Sequence, residues 1–190
     1  MSKDLENTNI VLGVTGGIAA YKAVDLASRL AGVGARIKTI MTEAALKLVC
    51  PKSFESVTKS VVYTSLWTKR EDATISHIDL SEWCDVTVVA PATANIIGKA
   101  AQGICDDLLS TFLCVFWDSP VLLAPAMNTR MWTNPAVEKN VEELRKRGFV
   151  IVGPEEGRLA CGAEGTGRMA EPEKIVKQLE KIVFEIKKSR

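Results

Sequence analysis

An asparagine that closely follows an apolar run is the residue of this sequence best placed to bind a substrate. Residues 121–124 are Val-Leu-Leu-Ala, which predicts a buried strand, and Asn128 lies just beyond it. Ligands of open α/β sheets bind beyond the carboxyl ends of the strands, so Asn128 should face one. Its amide is uncharged and can both donate and accept hydrogen bonds. Met127, Met131 and Trp132 lie beside it and add soft and aromatic surface.

Two further residues could transfer protons. His77 is the only histidine and lies in a mixed polar and apolar stretch that predicts a loop. An imidazole titrates near neutral pH and suits a general base, although a lone loop histidine is usually a surface residue. Cys161 lies in a stretch, residues 153–172, that is too rich in glycine to be core. This stretch predicts either a flap that closes over a substrate or an ordinary mobile loop.

A glycine-rich turn joins the first predicted strand to the first predicted helix. In it, Gly16, Gly17 and Ile18 could bring backbone N–H groups close to a phosphate at the start of the helix. The spacing is not GxGxxG, and the second strand ends at Thr42 rather than at an acid that could bind a ribose. A mononucleotide such as FMN therefore fits better than NAD. A tight turn with no ligand remains the alternative reading.

A second segment of small residues leaves the third buried strand. It contains Ala92, Thr93, Ala94 and Asn95. Small side chains would let a flat ring lie close to the backbone, while Thr93 and Asn95 supply hydrogen bonds. The alternative is that Thr93 or Asn95 simply caps the helix that follows.

Predicted strands and predicted helices alternate along the chain. This alternation predicts an α/β fold, namely a three-layer Rossmann-like or flavodoxin-like parallel sheet with helices on both faces. One domain should cover residues 1–190, with a flexible start at about residues 1–8 and a clamp-like loop at about 153–172. Strands are predicted at residues 9–14, 36–41, 61–63, 86–90, 121–124 and 149–152, and helices at 19–30, 42–49, 94–101, 107–117, 135–147 and 173–187.

Composition narrows the class of protein. The 24 basic and 23 acidic residues nearly balance, which argues against a nucleic-acid partner. The start of the chain is too charged for a signal peptide, and the longest apolar stretch, residues 108–117, is too short for a membrane span. Five cysteines without a CxxC pair, together with one histidine, argue against a disulfide framework and against a metal site. The sequence therefore predicts a cytoplasmic protein.

Four segments in the same order resemble the homo-oligomeric flavin-containing cysteine decarboxylase family. Residues 125–132 match its PxMNxxMW motif, residues 91–96 resemble its PASANT motif, residues 77–80 resemble its histidine segment, and residues 160–172 resemble its ACG…GxGRMxEP substrate clamp. The chain departs from these patterns at Thr93 and Ile96, and at Ala163, where many relatives carry Asp.

The resemblance implies specific roles. His77, Asn128 and Cys161 would be catalytic. Substrate would be bound by Asn128, Met131, Leu159, Ala160, Cys161 and Gly162, and FMN by Gly16, Gly17, Ile18, Thr42, Ala92, Thr93, Ala94, Asn95, Ala126 and Met127.

The reaction implied by the resemblance is FMN-dependent decarboxylation of 4′-phosphopantothenoylcysteine in coenzyme A synthesis. The substrate thiol would be oxidised by FMN to a thioaldehyde, with His77 as base, and carbon dioxide would leave. The resulting enethiolate would be reduced by hydride returned from the flavin together with a proton from Cys161. In this family the flavin lies at a subunit interface, which implies a homotrimer or a multiple of trimers. A separate phosphopantothenate–cysteine ligase is a possible partner.

Other functions stay open at this point. A peptidyl-cysteine decarboxylase would act on peptide ends, although the Arg168–Met169 pair of the clamp favours a small phosphorylated substrate. A flavin prenyltransferase is disfavoured by the presence of His77, Asn128 and Cys161 together. A non-catalytic FMN-binding regulator of this fold would carry a long acidic tail, whereas this chain ends in basic residues. An NAD dehydrogenase lacks a recognisable hydride site.

Overall fold

The computed structural model describes residues 4–67, 77–160, 162 and 164–189. The strands are β1 (Asn9–Val14), β2 (Arg36–Met41), β3 (Val62–Tyr63), β4 (Val86–Ala92), β5 (Val121–Pro125), β6 (Val150–Ile151), β7 (Glu155–Arg158) and β8 (Glu164–Arg168). The helices are α1 (Ala20–Gly32), α2 (Glu43–Leu46), α3 (Pro51–Thr58), α4 (His77–Trp83), α5 (Ala94–Gln102), α6 (Leu108–Val115), α7 (Thr129–Trp132), α8 (Pro135–Lys146) and α9 (Pro172–Ser189).

Six parallel strands form the central sheet, in the order β3-β2-β1-β4-β5-β6. This is the strand order of the doubly wound dinucleotide-binding folds, so the predicted α/β sheet is confirmed and takes the Rossmann order. Strands β4 and β5 are buried along their whole length. Their unbroken apolar sequences arise because each strand is covered on both faces.

Helices cover both faces of the sheet, which gives the three predicted layers. One apolar core lies under α1, α3 and α9 and contains Leu26, Phe54 and Leu179. The other lies under α4, α5, α6 and α8 and contains Leu80 and Phe112. Helices such as α1 therefore bury one apolar face against the sheet and leave the opposite face polar.

Local signals in the sequence explain where several helices begin. Asn134 caps α8 by accepting a hydrogen bond from the Ala136 amide at 2.9 Å, with Pro135 at the first helical position. Asp107 and Ser110 form a capping box at the start of α6. These caps satisfy backbone N–H groups that the first turn of a helix leaves without partners.

Several segments differ from the sequence-based prediction. His77 begins a helix, α4, rather than lying in a loop, and α3 was not predicted at all. Leu5, in the start that was expected to be flexible, is fully buried. Residues 153–172 contain an antiparallel hairpin, β7–β8, rather than only loop. Glycines and charged residues on these short strands hide the alternation that usually reveals a strand.

The hairpin is held against the turn that follows β5. The Met127 amide donates a hydrogen bond to the Gly167 carbonyl at 3.0 Å. A Cβ added at Gly167 would lie 2.1 Å from the Met127 carbonyl oxygen, which is backbone and cannot move aside alone. Only glycine therefore lets the two backbones approach this closely.

We predict that Gly167→Ala pushes the hairpin away from Met127. The free energy of unfolding should fall by about 1–3 kcal/mol, as in other overpacked sites, and the Met127 amide should exchange with solvent faster. Urea unfolding and hydrogen exchange would measure both effects. Gly32→Ala is the matched control, because a Cβ there meets no atom within 4 Å. Unchanged Met127 exchange in Gly167→Ala would contradict the prediction.

Candidate active site

A cavity of about 960 Å³ opens at the carboxyl ends of β1, β4 and β5, beside the hairpin. This volume lies at the upper end of the range for small-molecule sites. Its location is the point where the strand order reverses between β1 and β4, which is where ligands of such sheets bind. The described lining consists of Gly16, Gly17, Ile18, Ala19, Tyr21, Lys22, Thr93, Ala94, Ala126, Met127, Asn128, Met131, Arg158, Leu159, Ala160, Gly167, Arg168 and Met169.

A buried hydroxyl joins the two turns on the nucleotide side of the cavity. Thr15 is only 2% exposed, and its Oγ1 donates a hydrogen bond to the Pro91 carbonyl at 2.7 Å. The same oxygen accepts a hydrogen bond from the Thr93 amide at 3.2 Å. Thr15 therefore sets the distance between the glycine turn after β1 and the segment after β4.

The glycine turn also needs its glycine for packing. A Cβ added at Gly16 would lie 2.4 Å from the Ala44 Cβ and 3.0 Å from the Ala44 carbonyl carbon. Helix α2 can therefore lie against the turn only because Gly16 has no side chain. The N-cap of α1, Ala19, makes no side-chain cap hydrogen bond, and the first turn of α1 carries no acidic residue. A helix start of this kind is suited to an anion.

Asn128 has a defined orientation at the mouth of the cavity. It caps the short helix α7, since its Oδ1 accepts a hydrogen bond from the Arg130 amide at 2.8 Å. This bond holds the plane of the side-chain amide, as is usual for an asparagine that caps a helix. Asn128 thus presents a neutral amide to the cavity from the end of β5.

The charged residues that line the cavity are all basic among the residues described. Lys22 Nζ lies 2.8 Å from Glu171 Oε1, and Arg168 hydrogen-bonds to the same carboxylate oxygen. The hydrogen bond from Lys22, followed by that from Arg168, lowers the pKa of Glu171 below its ordinary value. Glu171 therefore stays ionised and orients both cations at the wall of the cavity.

The structure brings together most of the site residues predicted from the sequence. The residues from that prediction that line the cavity are Gly16, Gly17, Ile18, Thr93, Ala94, Ala126, Met127, Asn128, Met131, Leu159 and Ala160. Five others are not among its lining residues, namely His77, Ala92, Asn95, Thr42 and Gly162. Cys161 lies outside the described residues.

Physical reasons explain why some of these five lie elsewhere. Thr42 caps α2, since its Oγ1 accepts a hydrogen bond from the Ala45 amide at 3.3 Å. Ala92 is fully buried within β4, and Asn95 is exposed on α5. His77 is half-buried at the first residue of α4, which contacts α6.

Sequence reasoning missed Thr15, which links two turns beside the cavity, and the lining residues Lys22 and Arg158. Thr15 was passed over between the glycines, although a hydroxyl in such a turn often binds backbone. Lys22 was passed over because its partner, Glu171, is 149 residues away along the chain. Arg158 lies in a stretch that had been interpreted as loop. Lys22 on α1 and Arg158 on the hairpin line one cavity only because the tertiary fold brings these two elements together.

No helix in the described ranges is long and apolar enough to span a membrane. In the same part of the chain, no three His, Cys, Asp or Glu side chains come together in a way that could hold a metal ion.

A Rossmann-order sheet with an anion-accepting turn and a large cavity at its switch point defines a nucleotide-binding α/β domain. More specifically, the chain belongs to the Flavoprotein family, whose profile matches residues 1–184. It is 49% identical over 177 residues to the coenzyme A biosynthesis bifunctional protein CoaBC of Bacillus subtilis (strain 168). That match covers 93% of this chain but 43% of the relative, so the chain spans less than half the length of this curated relative.

Solved structures give the same family. The fold is similar to that of a mutant PPC decarboxylase complexed with pantothenoylaminoethenethiol, with a TM-score of 0.82 and 33% identity over 92% of this chain and 97% of the other. It is also similar to the FMN-binding protein AtHal3, with a TM-score of 0.80 and 33% identity over 92% and 95% of the two chains. The predicted family resemblance is thus confirmed.

We predict that Thr15→Val loosens the nucleotide side of the cavity. The change keeps the side-chain volume but leaves the Thr93 amide and the Pro91 carbonyl without their shared partner. Such losses lower the free energy of unfolding by about 1–3 kcal/mol, which chemical denaturation would measure. Thr15→Ser retains the hydroxyl and is the control. Equal stability of the valine variant and the wild type would show that this hydroxyl does not hold the two turns together.

Proposed function

We propose that the chain is an FMN-dependent decarboxylase that converts 4′-phosphopantothenoylcysteine to 4′-phosphopantetheine. The observation that carries this proposal is the position of Asn128, a neutral amide held at the end of β5 inside a cavity that also contains an anion-accepting turn. The likeness to a PPC decarboxylase over nearly the whole of both chains supports it. So does the relation to a coenzyme A biosynthesis protein.

The residues present fit FMN. Gly16, Gly17 and Ile18 bring backbone to the start of α1, where no side chain supplies a cap, and could hold the phosphate. Thr93 and Ala94 are small enough for a flat ring to lie against the second turn. When bound, FMN supplies the electron-accepting and hydride-donating chemistry that side chains lack.

The chain's own residues then position the substrate and move protons. Asn128 would bind the carboxylate through its neutral amide. A positively charged side chain in its place would stabilise the ground-state carboxylate and slow the loss of carbon dioxide. Leu159, Ala160 and Met131 would cover the substrate and exclude water. Cys161 would donate the proton that completes the product. His77 would act as the base that takes the thiol proton.

The proposed reaction predicts distinct products from the wild type and from Cys161→Ser. The FMN-loaded wild type should remove carbon dioxide from 4′-phosphopantothenoylcysteine. The serine variant is a much weaker proton donor and should stop at an oxidised, decarboxylated species two hydrogens short of the product. Mass spectrometry separates the two. Cys50→Ser is the matched control, since Cys50 is exposed at the start of α3, outside the cavity lining. An unchanged substrate mass with FMN-loaded wild type would refute the assignment.

We also propose that copies of this chain assemble, as a homotrimer or a multiple of it, and that assembly completes each site. His77 does not line the cavity of its own chain. At the cavity mouth, Ile18 and Tyr21 are 63% and 62% exposed, and Met131 is exposed too. Apolar side chains grouped at the opening of a site are typical of a surface that a partner covers. A neighbouring copy could bury them and bring its His77 to the cavity.

A subunit-mixing experiment tests the shared site. With activity measured as formation of 4′-phosphopantetheine, His77→Asn and Cys161→Ser chains should each form no product alone, because each lacks one proton-transfer group. If a site takes these two residues from different copies, unfolding and refolding a 1:1 mixture should restore about a quarter of the wild-type activity. If both residues come from one copy, the mixture stays inactive and the proposal fails. Refolded wild type, treated in parallel, controls for losses during refolding.

The curated relative suggests where the substrate comes from. The B. subtilis relative is a bifunctional protein, and this chain matches 43% of it. We propose that a phosphopantothenate–cysteine ligase supplies the substrate, in the same polypeptide or as a partner. A cytoplasmic location remains a prediction from composition.

A further inference from the structure

The positively charged side chains described in the cavity differ in whether they form an ion pair with a carboxylate. Lys22 and Arg168 share the Glu171 carboxylate, so much of their charge is neutralised. Arg158 also lines the cavity, but it is exposed and makes no ion pair or side-chain hydrogen bond with another described residue. Glu164 lies opposite Arg158 in the hairpin register, yet the two form no ion pair. Among the described cations of the cavity, Arg158 is therefore the one whose guanidinium is available to bind a ligand.

The hairpin carries a second guanidinium that lines the cavity, that of Arg168. A Cβ added at Gly157, the residue before Arg158, would lie 3.2 Å from Arg168 Nη1. The Arg168 side chain therefore lies across Gly157. On the paired strand, a Cβ added at Gly165 would lie 2.6 Å from Thr129 Oγ1, next to Asn128 in the sequence. These contacts bring the basic residues into the same cavity as the substrate-binding turn.

The charges of this group match a phosphate monoester. Lys22, Arg158 and Arg168 contribute three positive charges and Glu171 one negative charge, which leaves a net charge of about +2. A phosphate monoester carries a charge of about −2 near neutral pH. The carboxylate of a cysteine substrate carries only one negative charge and is already assigned to Asn128. The uncapped start of α1 offers a separate place for the phosphate of FMN.

We propose that Arg158 binds the 4′-phosphate of the substrate and thereby makes the chain selective for phosphorylated cysteine substrates. Lys22 and Arg168, oriented by Glu171, complete the positive environment. Arginine can form two parallel hydrogen bonds to phosphate oxygens, which a single ammonium group cannot reproduce. This inference rests on the proposed function, because it assigns the part of the site that distinguishes this substrate from a peptide end.

Kinetics with paired substrates test the role of Arg158. For FMN-loaded Arg158→Ala, KM for 4′-phosphopantothenoylcysteine should rise on the order of 10- to 100-fold, the effect of losing a charge-assisted hydrogen bond. KM for the dephosphorylated substrate should not change, and kcat should change less than KM. Arg158→Lys should recover part of the loss. Arg145→Ala removes the same charge from α8, outside this cavity, and is the control.

A binding measurement keeps the test independent of turnover. Calorimetry of the FMN-loaded protein should show tighter binding of 4′-phosphopantothenate than of pantothenate, and Arg158→Ala should remove the difference. If Arg158→Ala lowered the affinities for 4′-phosphopantothenate and pantothenate equally, or lowered only the affinity for FMN, the assignment of Arg158 to the substrate phosphate would be overturned. Wild type that binds phosphopantothenate selectively but releases no carbon dioxide would refute the proposed reaction and leave the phosphate site supported.

Discussion

The reversal of strand order between β1 and β4 is the constraint on which the rest of the site depends. The chain leaves β1 into α1, which packs on one face of the sheet, and leaves β4 into α5, which packs on the other. Two neighbouring strands whose connections diverge in this way leave a crevice between their first turns. The cavity lies in that crevice.

Close backbone approaches turn this crevice into a defined site. Thr15 links the turns after β1 and β4 through one buried oxygen. Gly16 allows α2 to lie against the first turn, and Gly167 allows the hairpin to lie against Met127. Each of these contacts joins segments distant in sequence, and each depends on a small side chain or on a single hydroxyl. The close backbone approaches therefore fix the relative positions of the segments that line the cavity.

The sequence predicts the central sheet well because of how that sheet is buried. The strands β1, β4 and β5 are covered on both faces, so their apolar runs are unbroken and locate them within two residues. The start of α8 at residue 135 could be predicted for a similarly local reason, since Asn134 and Pro135 act only on adjacent backbone.

What could not be predicted depends on long-range contacts. The hairpin has short strands rich in glycine and charge, and it is stabilised by the turn after β5 rather than by its own apolar pattern. The ion pair of Lys22 with Glu171 joins the first helix, α1, to the residue that precedes the last helix, α9. Motif resemblance located Asn128 and its neighbours, but it could not show that His77 lies outside the cavity of its own chain.

The distribution of charge in the cavity agrees with the demands of a decarboxylation. A carboxylate bound by a cation is stabilised in the ground state and leaves less readily. Here β5 supplies a neutral amide, Asn128, whereas the cations come from α1 and from the hairpin. Recognition of a distant anionic group can then provide binding energy that positions the substrate, without adding positive charge where carbon dioxide must leave. Under the proposed function, separate elements of the fold would thus perform recognition and chemistry, and Glu171, which pairs with Lys22 and Arg168, would orient two of the cations used for recognition.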